Sequence, residues 1–421
     1  MLQRGNTELR SPIAMPGIAM TKTLHLHPSD LVGFSRLAND AVAELTDVVE
    51  AIHGEIAFTY GGVGPSPAQQ LTTGITALVY NSIRVATGLV GRGLIASTPP
   101  PAKQSRLSLR REAIVAAVNG VLGDYLVRTS NPLAISMSLR HLGRPLEIER
   151  CALQTAISQP GNKVLLLVHG LCLNDLQWKR KGHDHGASLA RELGYTPVYL
   201  HYNSGLHVSE NGRLLAGLLN ELFEQWPVPI QEFAIVGHSM GGLVSRSAHY
   251  YATQTGHLWP QYLRTLIFLG TPHHGAPLER LGNWVDTALE TSPYTAPYAR
   301  LGKIRSAGIT DMRFGNLLDD DWKGRDRFAQ SPDVRSPLPL PRDVRCYAIA
   351  ATRQAVANSG FDPLGDGLVT VDSALGRHPN PEMNLVFADF RQWIGYGINH
   401  WDLLSHSMVY DHIRQWLSSK P

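Results

Sequence analysis

The chain has 421 residues, of which 43% are hydrophobic and 17% charged, and its formal net charge is +3. That length fits one large domain with an additional module, and the apolar share is enough to bury a sizeable core. Lacking a concentrated basic face, the chain is not expected to bind nucleic acid. Its three scattered cysteines, Cys151, Cys172 and Cys346, supply neither a disulfide framework nor a zinc knuckle and read as reduced thiols in or near the core.

Residues 1–30 mix polar side chains with Pro12, Pro16 and Pro28 and read as a loose arm. The first residues lack the basic-then-apolar run of a signal peptide, so the expected location is cytoplasmic. Apolar residues at three-to-four spacing then predict helices over 31–56 (Leu37, Val42, Leu45, Val48, Val49, Ile52), 69–96 and 107–128. Gly61-Gly62-Val63-Gly64-Pro65 and Pro99-Pro100-Pro101 separate them. Residues 31–130 therefore read as a helical module whose apolar faces pack on the main domain or on a second copy, with peripheral membrane contact as the alternative. The longest apolar tract, 74–96, is interrupted by Asn81, Arg84 and Arg92 and makes a poor membrane span.

Beyond residue 131 the texture changes. Residues 134–139 and 145–148, with Gly143 between them, predict an antiparallel hairpin. Strands are expected at 163–168, 197–201, 233–236, 263–269, 344–351 and 384–390. Helices are expected at 185–193, 209–225, 241–255 and 403–417. Alternation of this kind gives a mostly parallel sheet covered on both faces. Lys179-Arg180-Lys181 reads as a solvated loop. Residues 276–342 break the rhythm with helical pieces and a Pro-rich run from Ser331 to Pro341, and read as a cap-like insertion over one end of the sheet.

Val236-Gly237-His238-Ser239-Met240-Gly241-Gly242 carries Gly-x-Ser-x-Gly. In a chain with 39 glycines that pattern arises by chance in very roughly one chain in five, so its context decides. Ser239 directly follows a predicted buried strand and directly precedes a predicted helix, the setting of a nucleophile elbow. A serine hydroxyl needs a base to take its proton and donors for the oxyanion it creates. The amide after the nucleophile, that of Met240, is one donor. The loop Leu167-Val168-His169-Gly170-Leu171 after an earlier strand offers the amide of Leu171 as the other.

With these pieces in place the sequence resembles an α/β-hydrolase of the bacterial lipase and esterase kind. The resemblance rests on residues 167–171, Gly-His-Ser-Met-Gly-Gly at 237–242, Gly-Thr-Pro-His-His-Gly at 270–275, Gly-Asp-Gly-Leu-Val at 365–369 with Ser373-Ala374, and Asn-His-Trp-Asp at 399–402. These follow the family's order across residues 160–420, and the helical N-terminal third has no counterpart. The resemblance implies an α/β-hydrolase fold over 131–421, with Ser239 as nucleophile, Asp366 as acid and His400 as base. The order Ser…Asp…His agrees with it. It further implies a serine hydrolase cleaving carboxylic esters through an acyl-enzyme, with no organic cofactor and a small-molecule or lipid ester as partner. Some related lipases carry a structural calcium near the catalytic histidine. Asp402 matches one ligand of that ion, and Asp311 or Asp343 could be the second.

Competing residues have blander roles. Asp362 and Asp372 flank Asp366 without matching the motif. His406 reads as a surface residue of the closing helix, His378 as a weak rival base, and His169, His238, His273 and His274 as packing around the site. His183-Asp184-His185 reads as a surface loop rather than a metal site. The same triad would serve an amidase, a thioesterase or an acyltransferase. A non-catalytic interaction protein working through the helical module is the reading from another class. Trp284, Tyr294 and Tyr298 in the insertion favour acyl chains over small charged esters. Oligomeric state is not legible.

Overall fold

The computed structural model describes residues 109–276, 305–327, 332–355 and 365–419, with part of 27–37. The expected arm before residue 27, the helices over 31–56 beyond residue 37 and over 69–96, and Trp284, Tyr294 and Tyr298 lie outside the described residues.

Among the described residues eight strands form one sheet: β1 (Ser138–His141), β2 (Arg144–Pro145), β3 (Lys163–Val168), β4 (Thr196–His201), β5 (Glu232–His238), β6 (Leu263–Leu269), β7 (Arg345–Thr352) and β8 (Gln392–Tyr396). Their spatial order is β2-β1-β4-β3-β5-β6-β7-β8. The β1–β2 and β1–β4 pairs are antiparallel and every pair from β4 to β8 is parallel. In β3 all residues after Lys163 are buried, and β4 is buried throughout. Parallel strands covered on both faces require such unbroken apolar runs. The β1–β2 turn, Leu142-Gly143, has both residues at positive φ (51° and 74°), as the twist of a two-residue hairpin demands.

The described helices are α1 (Leu109–Arg128), α2 (Arg150–Ala156), α3 (His185–Leu193), α4 (Val208–Gln225), α5 (Met240–Gln254), α6 (Ala307–Asp311), α7 (Val371–Ala374) and α8 (Ser407–Ser418). One core holds Val118, Val121, Leu122 and Leu126 of α1 together with Leu139, Leu166, Leu200, Ile235 and Leu266 of the sheet. The helix that precedes residue 130 thus shares its core with the sheet. The opposite face packs Leu165, Val236, Ile267 and Ile349 against Leu189 of α3 and Val409, Ile413 and Trp416 of α8. Among the described residues no helix is long and apolar enough to cross a membrane.

Several elements differ from the sequence reading. No strand forms at 384–390; the last strand is β8. Leu385 and Phe387 are buried while Val386 and Phe390 are exposed, so the alternation of a strand is present without a ladder partner. The closing helix starts at Ser407, with His406 as its N-cap accepting the Met408 amide; Asp402–Leu404 forms a separate 3-10 turn. Cys172 and Cys346 are buried as expected, but Cys151 is exposed, and all three are free thiols. The described part of the insertion is fastened down: Ser306 caps α6 and donates to Gly120 O of α1 at 2.6 Å, and Asp311 accepts the Val208 amide at the start of α4.

Candidate active site

From β3 the chain moves to β4 on one side and then to β5 on the other side of β3. A reversal of this kind marks the place, beyond the carboxyl ends of β3 and β5, where open parallel sheets bind ligands. Ser239 follows β5 there, at φ 55° and ψ −128°, and α5 begins at the next residue. Positive φ is uncommon for a residue other than glycine and marks a strained turn. Two glycines make the turn feasible. A Cβ on Gly237 would lie 2.7 Å from Gly242 Cα, and one on Gly241 would lie 2.3 Å from Val168 O. The Ser239 amide donates to Leu269 O at 2.8 Å, pinning the turn to β6. Ser239 is buried, and its Oγ has no hydrogen-bond partner among the described residues.

Asp366 lies in the loop after β7 and His400 in the loop after β8. His400 Nδ1 is 2.6 Å from Asp366 Oδ2, and both residues are buried. The other carboxylate oxygen, Oδ1, accepts the amides of Leu368 and Val369 at 2.9 and 2.8 Å. A backbone bond from His400 N–H to Asp366 O adds a second tie at 3.0 Å. A carboxylate only accepts, so Nδ1 of His400 carries the proton and Nε2 presents its lone pair. His238 Nε2 lies 3.1 Å from His400 O, clamping the loop from the side of Ser239. The β6 loop packs on the pair as well: a Cβ on Gly270 would lie 3.1 Å from Asp366 Oδ2 and 3.2 Å from His400 Nδ1.

The loop after β3 can be accounted for group by group. Cys172 N–H donates to Ser204 Oγ at 3.0 Å and Leu173 N–H to Gly170 O at 3.3 Å. Tyr202 Oη donates to His169 O at 2.8 Å. Among the described residues, the Leu171 amide makes no hydrogen bond. Met240 is the first residue of α5, so no carbonyl of its own helix reaches its amide. Two backbone donors are thus left over at the two loops that meet beside Ser239.

The competing residues fall elsewhere. Asp372 is exposed and pairs with Arg377, His378 faces Asp333 at 3.8 Å, and Asp362 lies outside the described residues. His183-Asp184-His185 is not a surface loop. His185 is fully buried, stacks on Tyr410 and approaches Leu403 O at 2.9 Å, while Asp184 caps α3. Asp402 pairs with Lys181 at 2.7 Å, and Asp311 faces His207 at 3.0 Å. A carboxylate already bonded to an ammonium does not suit a calcium ligand. Among the described residues no group of three or more His, Cys, Asp or Glu could hold a metal ion.

Sequence reading passed over Arg246. It is buried in α5, and burial lowers its pKa to about 10. It donates to His273 Nδ1 at 3.2 Å and to Leu338 O, tying the helix that follows Ser239 to the β6 loop and the Pro-rich run. Ser373 ties the Asp366 side to the same loop, donating to Gly275 O and accepting from the His274 amide.

Burial holds four histidines around the site neutral. It lowers His169 to about 3 and His185 to about 4, and pushes His238 and His273 well below the ordinary value. In the unfolded chain these rings take a proton below about pH 6.5. The unfolded state then binds more protons than the folded one. Their contribution to stability is complete above that pH and is lost as pH falls towards the folded values. Each ring contributes about 1.4 kcal/mol per pH unit inside that window. The urea midpoint at pH 5 is therefore expected well below that at pH 8, and equal midpoints would contradict the neutral, buried assignment.

Comparison with known proteins adds the following. A family profile described as the PGAP1-like alpha/beta domain matches residues 200–335. The chain is similar to the mature form of the lipase BlEst2 from Bacillus licheniformis, at 18% identity and a TM-score of 0.40, over 68% of this chain and 98% of that one. It is also similar to a gene product of Listeria innocua, at 14% identity and a TM-score of 0.35, over 62% and 95%. An esterase of Pyrococcus furiosus matches at 13% identity and a TM-score of 0.34, over 61% and 83%. No curated protein sequence matches the chain.

Proposed function

We propose that this chain, an α/β-hydrolase by its fold, cleaves carboxylic esters through an acyl-enzyme. The observation that carries the reading is the buried Asp366–His400 contact of 2.6 Å, set at the same end of the sheet as a serine on a strained strand-to-helix turn. In this reading Ser239 Oγ attacks the acyl carbonyl while His400 Nε2 takes its proton. Asp366 holds the imidazole tautomer and stabilises the imidazolium. The Leu171 and Met240 amides donate to the oxyanion, each worth about 10²–10³ in turnover. Collapse expels the alcohol, which leaves with the proton from His400. Water, activated by the same ring, then attacks the acyl-serine and releases the acid. No step draws on calcium.

The composition of the insertion, with Trp284, Tyr294 and Tyr298, favours an apolar acyl chain. The test is a series of p-nitrophenyl esters from short to long chains, alongside matched anilides and thioesters and a fluorophosphonate label. Ester turnover exceeding anilide turnover, rising with chain length, is the expected result. Faster turnover of the thioester or anilide would move the reading to a thioesterase or amidase. A folded protein that takes no label and hydrolyses none of the series would leave the interaction-protein reading in its place.

A further inference from the structure

The oxyanion loop contains a second strained residue. Cys172 sits at φ 60°, a region that a side chain larger than glycine's occupies only when its surroundings force it. Those surroundings come from two places. Ser204 Oγ accepts the Cys172 amide at 3.0 Å. Gly120 of α1 lies against the turn so closely that a Cβ there would come 2.2 Å from Cys172 Sγ and 2.9 Å from its N.

One turn along α1, Gly123 makes the matching contact with the next loop. A Cβ on it would meet Asn203 Oδ1 at 1.9 Å, and Asn203 Nδ2 donates to Gly123 O at 3.0 Å. Glycine in a helix interior is unfavourable, yet two stand three residues apart in the middle of a 20-residue helix. They share a face, and that face carries the Cys172 turn of one loop and the Asn203 side chain of the next. Ser306 closes the arrangement by donating to Gly120 O.

We propose that Gly120 of α1 and Ser204 are positioning residues that hold the Gly170–Cys172 turn with the Leu171 amide free for the oxyanion. A segment outside the sheet would thereby complete the catalytic machinery. The inference rests on the ester-hydrolase reading for its chemistry and on the packing for its mechanics, and the test separates the two.

Wild type, Ser239→Ala, Gly120→Ala, Ser204→Ala and the α1 surface control Val127→Ala are compared. Each is assayed for kcat and KM per folded protein, for affinity to an alkylboronic acid that mimics the tetrahedral adduct, and for amide exchange. Ser204→Ala and Gly120→Ala are expected to lower kcat about ten- to hundredfold, less than losing a whole donor, with KM within about twofold. Boronate affinity should fall by the same factor. Exchange at Cys172 and Leu173 should quicken about tenfold or more while that of β5 stays unchanged. Val127→Ala should match wild type throughout.

Unchanged kcat and unchanged loop exchange in Ser204→Ala would overturn the proposal, as would a loss accompanied by equal quickening in β5. Should Gly120→Ala fail to fold, Ser204→Ala decides. Turnover surviving in Ser239→Ala would instead sink the reading of Ser239 as the nucleophile, and loop exchange alone would then decide the bracing.

Discussion

Ser239→Ala is expected to fold, to lose fluorophosphonate labelling and to lose about 10⁵–10⁶ of ester turnover, the scale on which removal of a triad nucleophile acts. The variant loses the oxygen that attacks and leaves the rest of the site in place. Its backbone strain persists, because alanine at φ 55° meets the same Cβ penalty as serine. Its stability should not fall. The Ser239 Oγ is a buried polar atom with no partner among the described residues, and such an atom costs free energy until it is removed. A thermal midpoint equal to or above that of wild type, with labelling abolished, is the signature of a residue kept for chemistry. A variant that still labels would place the nucleophile elsewhere.

Asp366→Asn is the second large effect, a fall of about 10⁴ in kcat with the fold retained. Hydrogen-bond accounting forces the outcome. Oδ1 of Asp366 accepts from the Leu368 and Val369 amides, so an asparagine keeps its carbonyl oxygen there and turns its NH₂ towards His400. Nδ1 of His400 must then accept, the ring proton moves to Nε2, and the lone pair that would take the serine proton is gone. Nitrogen chemical shifts of the His400 ring report that tautomer directly. A kcat within tenfold of wild type, or a ring still protonated on Nδ1, would remove Asp366 from the role of acid.

Ser239, Asp366 and His400 each stood out from a short motif in the right strand-and-helix context, and the structure brings the last two into contact. The legible part reflects local physics. β3, β4 and β6 end within one residue of the sequence expectation, because a strand buried on both faces needs an unbroken apolar run. The Gly-His-Ser-Met-Gly-Gly turn is fixed by close approaches within its own few residues and to the end of β3. The errors arose where a local pattern lacked a tertiary partner. Leu385 and Phe387 alternate like a strand and face the core, but no neighbouring strand pairs with them. His185 reads as polar and exposed, yet Tyr410, Trp178 and the Leu403 carbonyl enclose it.

The sequence alone determined the type of fold and which serine, aspartate and histidine to weigh, since strand periodicity and elbow glycines are properties of neighbouring residues. Tertiary structure alone decided that Asp366 and His400, 34 positions apart, touch at 2.6 Å. It alone engaged Asp402 with Lys181, and it alone laid two helix glycines of α1 against the loops beside Ser239. Those contacts join residues tens to hundreds of positions apart, and no periodicity records them, because they depend on where the sheet order β4-β3-β5 brings the loop ends together.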